Sequence, residues 1–318
     1  MGGVKMKKSK VKVAVIQAAS VIMDQEASTE KAVVLTQQAG EQGANIVVFP
    51  EAFIPGYPRG LNFGTSIGSR SQAGRRDWLR YWENSIEVPS QETNKLGEAA
   101  RKAGVYLVIG VIERDNEASG GTLYCSALFF GPDGELLGKH RKLKPTGSER
   151  IIWGEGDGST LPVFATPYGK IGALICWENY MPLARTAMYE KGIQIYITPT
   201  ADSRELWQST IRHIAAEGRC FVLSSNQYVT KDMYPTDLAC YEELSSSPDE
   251  MCSGGSAIVG PLGDYVVKPV YGQEDILITE LNLNDIHASQ FDFDVVGHYS
   301  RPDVFQLLVN EEKQKNKR

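Results

Sequence analysis

The chain has 318 residues, enough for one large domain or two modest ones, and its 42% hydrophobic and 23% charged content is that of an ordinary globular protein. A net charge of −6 argues against broad binding to nucleic acid or a membrane surface, which would want a basic face, so neither is expected as a partner. No apolar run approaches the roughly 18 residues that span a bilayer, and the first residues hold no apolar signal core. The expected location is the cytoplasm.

In chain order, residues 1–10 read as a basic tail. Val11–Gln17 alternates and then runs apolar, the pattern of a buried strand. A helix is predicted over Thr29–Glu41, ended by "GEQGAN", and a second strand over Asn45–Phe49, stopped by Pro50. Strand, helix and strand with short joints make a βαβ unit, so these two strands should be parallel. Helices are predicted around Arg75–Ile86 and Gln91–Gly104, then strands Val105–Glu113 and Thr122–Phe130 with a turn at Gly131–Glu135. A second βαβ pattern follows: strand Lys170–Cys176, helix Pro182–Gly192 with Pro at its start and Gly at its end, and strand Ile193–Thr198.

Further on, Asp202 with Glu205 reads as a helix cap, and Leu206, Ile211, Ile214 and Ala215 follow at helical spacing. Cys220–Asn226, Gly255–Gly260, Tyr265–Lys268 and Ile276–Leu283 read as strands. The stretch 231–255 is polar and rich in turn formers, long enough to be a functional loop. Residues 306–318 form a charged tail, and its end "NEEKQKNKR" is expected to be disordered. Residues 11–305 form one predicted α/β domain, a mixed pair of sheets covered by helices.

Five cysteines, an odd number with no C-x-x-C pair, argue against a disulfide framework, and four histidines without ligand spacing argue against a zinc site. No metal is expected. Most of the thiols should be small buried groups, Cys125 among them. Cys176 is different in context: it follows the apolar "GALI" and precedes a turn and a helix, where a thiol can project into a crevice among backbone N–H groups. The same placement also suits a core residue. Glu51 sits just past the strand "NIVVF", where open α/β sheets hold ligands, with Ala52, Phe53 and Ile54 to shield it. It is either a solvated loop carboxylate or a desolvated base.

Lys142 lies in "GKHRKLKPT", a cationic stretch that is either a charged edge strand or a strand with one face turned inward. Alternation would put His140, Lys142 and Lys144 on one face, Arg141 on the other. A buried lysine needs a carboxylate, and Glu149 is near in sequence. Were the three to meet, Glu51 would take the thiol proton. Lys142, with the backbone N–H of Trp177, would stabilise the anion formed when sulfur adds to a C≡N or C=O carbon.

"FPEAFIPGYPRG", "GKHRKLKPT" with the following "ER", and "ICWENYMPLARTAMYEKG" resemble the three signature blocks of the nitrilases, in the carbon–nitrogen hydrolase superfamily. "YITPTADSRELWQ", "HIAAEGRCFVLSSNQ" and "FDFDVVGHYSRPDV" extend the likeness from about Val11 to Val304. The resemblance implies that Glu51, Lys142 and Cys176 are the catalytic residues, with Glu149 holding the lysine. It implies an α-β-β-α sandwich that dimerises into α-β-β-α-α-β-β-α, and hydrolysis of a small nitrile to acid and ammonia with no cofactor. Many members carry a longer C-terminal extension that builds a spiral, so a homodimer is the firmer implication and a larger spiral oligomer the lesser one.

Tyr57, Trp177, Thr200 and Ala201 flank these blocks and are candidate substrate contacts, although Tyr57 and Trp177 also suit plain packing. Glu178 and Asn179 are read as ordering the turn below the thiol, and His213 and His298 as structural. Two alternatives stand beside a nitrilase: an amidase with the same three groups, and a silent filament-forming protein. A Cys–His peptidase fits poorly, since no histidine is placed to pair with Cys176.

Overall fold

The computed structural model describes residues 8–117 and 119–314, so most of the predicted basic tail and the last four residues lie outside it. The first half supplies β1 (Lys10–Gln17), α1 (Gln25–Glu41), β2 (Ile46–Val48), the short hairpin β3 (Thr65–Ser66) and β4 (Ser69–Arg70), and α2 (Gln72–Glu83). Then come α3 (Gln91–Ala103), β5 (Tyr106–Arg114), β6 (Leu123–Phe130) and β7 (Leu136–Arg141). The second half adds β8 (Val163–Thr166), β9 (Gly169–Ala173), α4 (Pro182–Glu190), β10 (Ile195–Pro199), α5 (Glu205–Gly218) and β11 (Phe221–Ser225). It closes with β12 (Tyr228–Thr230), β13 (Glu250–Val259), β14 (Tyr265–Tyr271) and β15 (Asp275–Asn282).

Two sheets result. One runs β15-β1-β2-β5-β6-β7, the other β12-β13-β11-β10-β9-β8 with β14 on β13. In the first, β1, β2 and β5 are parallel; in the second, β9, β10 and β11 are. Each predicted βαβ unit therefore forms the parallel centre of one sheet, with antiparallel strands at its flanks.

Alternation along the strands sorts the apolar side chains into layers. Val13 and Val15 point to a shared core with Ile171, Ala173, Ile197 and Leu223 of the other sheet. Ala14 and Ile16 point the opposite way, to Ala32 and Ala39 of α1 and Leu96 of α3. On the far side, Met188 of α4 and Trp207, Ile211 and Ile214 of α5 pack on Tyr196 and Val222. The order is helices, sheet, sheet, helices: an α-β-β-α sandwich.

Local chemistry sets the helix ends. Asp24 accepts from the Ala27 N–H, so α1 begins four residues before the predicted start. Ser90 and Thr93 form a capping box on α3, and Gly104, at φ 66°, ends it. Pro182 opens α4 as predicted, with Gly192 at φ 73° beyond its end. Asp202, however, does not cap α5, which begins at Glu205 after Arg204. The Asp202 carboxylate is taken instead by the Arg204 guanidinium and the Trp177 indole N–H.

The polar stretch 231–255 contains short 3-10 turns at Lys231–Met233 and Tyr241–Leu244 and the start of β13. Asp77 of α2 accepts the N–H groups of Ala239 and Cys240, and Glu243 accepts those of Asn62 and Gly64. Of the stretch expected to be disordered from Asn310 on, the described part, to residue 314, has partners on the body: Glu311 pairs with Lys191, Lys313 with Glu117, and the Gln314 N–H with Asp157.

Candidate active site

Strand β9 stops at Ala173, three residues before the predicted end, and Cys176 opens a 3-10 turn, Cys176–Tyr180, that leads into α4. Its φ of 50° is left-handed, a conformation a non-glycine residue adopts only when its surroundings hold it there. They do. The Asn179 side-chain amide donates to the carbonyls of Leu174 and Cys176, and the Glu178 carboxylate accepts the Ile175 N–H at 2.6 Å. Thr200 donates to the Cys176 sulfur at 3.2 Å, and the Ala201 N–H also points to it.

Glu51 follows β2 in a turn where Ala52 has φ 50°. The turn crosses β5 so closely that a Cβ at Gly110 would stand 2.2 Å from the Pro50 oxygen. Glycine is required there. Lys142 follows β7, held by its N–H to the Cys125 carbonyl at 2.8 Å.

All four predicted residues meet. Lys142 Nζ lies 2.7 Å from Glu51 Oε1 and 2.7 Å from Glu149 Oε2, with Glu51 and Lys142 wholly buried. Glu149 also accepts the Thr146 N–H at 2.6 Å and the Tyr57 hydroxyl at 2.6 Å. Lys144, expected on the same face, is exposed and pairs with Glu155. Lys139 and Arg141 both pair with buried Glu113.

The cluster sets two carboxyl groups against one ammonium. Burial pushes the Glu51 carboxyl up, against the pull of Lys142. Burial disfavours the Lys142 cation, but the carboxyl groups of Glu51 and Glu149 outweigh it and push the lysine up. Burial and the Glu51 charge push the Cys176 thiol up, so sulfur rests as S–H. A thiolate here would stand desolvated beside the Glu51 carboxyl. Glu51 Oε2 is buried without a full hydrogen bond, and the Cys176 thiol lies near enough to favour its charged form. The arrangement therefore offers a neutral thiol, a carboxylate with a free oxygen, and an ammonium in one desolvated place.

A cavity of about 150 Å³ opens beside this cluster, lined by Tyr57, Leu61, Phe63, Glu149, Ile152 and Trp153 among others. Of the four predicted substrate contacts, Tyr57 lines it. Thr200 and Ala201 hold the Cys176 sulfur. Trp177 is exposed and lies outside the cavity wall, under the Arg204 guanidinium.

Two features escaped the sequence reading. His140 is buried, with Nε2 2.8 Å from Glu178 Oε2 and Nδ1 against the Thr160 carbonyl, while Glu178 Oε1 accepts the Leu143 N–H at 2.6 Å. Glu178 thus ties the turn of Cys176 to the segment that carries Lys142. Cys125, expected to be plain core, points its thiol at Glu51 Oε1, 3.5 Å away. The only hint of either was alternation, which turns His140 inward with Lys142.

The carbon–nitrogen hydrolase family model matches residues 12–290. The chain belongs to that family. Within the family, it is 56% identical over 305 residues to an aliphatic nitrilase of Sinorhizobium fredii, covering 96% of this chain and 97% of that one. It is 54% identical to a bifunctional nitrilase/nitrile hydratase of Lupinus angustifolius, over 95% of this chain and 86% of that one. Among solved structures, Nit3 of Saccharomyces cerevisiae superposes with a TM-score of 0.72 at 23% identity, covering 94% of this chain and 99% of that one. At that identity the likeness speaks for the sandwich fold alone.

Proposed function

We propose that the protein is a nitrilase that converts a small organic nitrile and two waters to the carboxylic acid and ammonia. Cys176 sulfur adds to the nitrile carbon while Glu51 Oε2 takes the thiol proton and passes it to nitrogen, giving a thioimidate. Lys142 and the Trp177 N–H stabilise the developing negative charge. One water then expels ammonia to leave a thioester, and a second, deprotonated by Glu51, releases the acid. Glu149 and Tyr57 keep Lys142 in place. The observation that carries this reading is the meeting of Cys176, Glu51 and Lys142 in one buried cluster whose thiol rests protonated beside a free carboxylate oxygen. Relatives named nitrilases, 49–56% identical across nearly the whole chain, support the nitrile as substrate.

The Lupinus relative's double name favours one further reading: part of the tetrahedral intermediate loses sulfur instead of ammonia and leaves as amide. The protein works in the cytoplasm, as five free cysteines suit a reducing compartment, and as a homodimer. Incubation with an aliphatic nitrile and, separately, its amide tests the activity. Ammonia and acid should form from the nitrile, and Cys176→Ala should form neither. Ammonia from the amide alone would make the protein an amidase.

A further inference from the structure

Cys125 and Lys142 face each other across the end of the β6–β7 ladder, where the Cys125 carbonyl holds the Lys142 N–H at 2.8 Å. Their side chains converge on one atom. Glu51 Oε1 accepts from Lys142 Nζ at 2.7 Å and from Cys125 Sγ at 3.5 Å, while Oε2 is left buried and unpaired. The two carboxylate oxygens are thus sharply unequal. Cys125 is itself only 1% exposed and stays a thiol, since burial and the Glu51 charge both oppose its ionisation. It cannot serve as a rival nucleophile: it sits mid-strand with its S–H donated away, whereas Cys176 sits on a left-handed turn with donors aimed at its sulfur.

We infer that Cys125 is a positioning residue: by donating to Oε1 it fixes the Glu51 carboxylate with Oε2 turned to Cys176, so that this oxygen is the proton acceptor. The torsion that swings a glutamate carboxylate is broad and nearly two-fold, so a single donor at Oε1 leaves it loose. A second donor from another direction pins its plane. A donor to the charged carboxylate also favours that form, so losing the thiol should make Glu51 harder to ionise. The inference rests on Glu51 being the base for Cys176.

The test compares Cys125→Ala, which removes the donor, with Cys125→Ser, which keeps one. In kcat/KM for an aliphatic nitrile, the acid limb should move to higher pH in C125A, with kcat down about tenfold and KM within about twofold. In C125S the limb should lie at or below the wild-type position. The same profiles are read from the rate of Cys176 alkylation by iodoacetamide, followed by peptide mass, which needs no turnover. Should the wild type hydrolyse no nitrile, the proposed function fails, but the alkylation profiles still decide the role of Cys125. Superimposed wild-type and C125A limbs, or a C125S limb displaced as far as that of C125A, would overturn the inference. If C125A does not fold, a C125S limb above the wild-type one does the same.

Discussion

Both ring nitrogens of His140 face acceptors, the Glu178 carboxylate and the Thr160 carbonyl, an arrangement that favours the imidazolium over the neutral ring. Burial works against that charge, as does Lys191, but Glu178 prevails and the histidine titrates above its ordinary 6.5. A raised value stabilises the fold fully below the unfolded value and ceases to do so as pH climbs through the folded one. His140→Gln should therefore lower Tm most near about pH 6, and the gap from wild type should shrink towards about pH 9. A gap that widens with pH would mean the ring is neutral in the fold. Because Glu178 joins the turn of Cys176 to the strand of Lys142, kcat should fall in step with that gap.

Between elements, the closest approach is that of the Glu51 turn to β5. Gly110→Ala would set a methyl 2.2 Å from the Pro50 oxygen and 2.6 Å from the Ala52 nitrogen, all three main-chain or main-chain-bound atoms. The turn must move. Overpacking of this kind costs about 1–3 kcal/mol in urea unfolding, and an ångström of shift at Glu51 should lower kcat at least tenfold. Normal activity in a folded G110A would show that the turn has slack.

The elements themselves were legible because they obey local rules: two βαβ patterns, a Pro-to-Gly helix, strands of alternating burial. The cluster was legible only through motif resemblance, since Glu51 and Lys142 are 91 residues apart and no periodicity brings them together. Local patterns failed where distant partners won. Asp202 has the spacing of a cap, yet Arg204 and Trp177 claim its carboxylate. The stretch around Glu311 and Lys313 looks too charged to order, but Lys191 and Glu117 offer matching charges on the body. His140 and Cys125 were unreadable for a related cause: alternation reports that a side chain turns inward, not what it meets there.

At the scale of the whole molecule, no helix among the described residues is long and apolar enough to cross a membrane, yet one face is notably apolar. Leu183 is 69% exposed at the start of α4 and Leu206 59% at the start of α5. Tyr180 joins the two helix starts, its ring 5.5 Å from Trp177 and 6.2 Å from Trp207. Exposed apolar surface of this kind suits a two-fold partner. Light scattering should return at least twice the 35.0 kDa of one chain, and Leu183→Glu with Leu206→Glu should halve it. A monomeric wild type would remove the proposed dimer. The gathering of two carboxyl groups on one ammonium has a different reach: a carboxylic acid released beside Glu51 and Glu149 would find Lys142 already taken on both sides, which should favour its departure over rebinding.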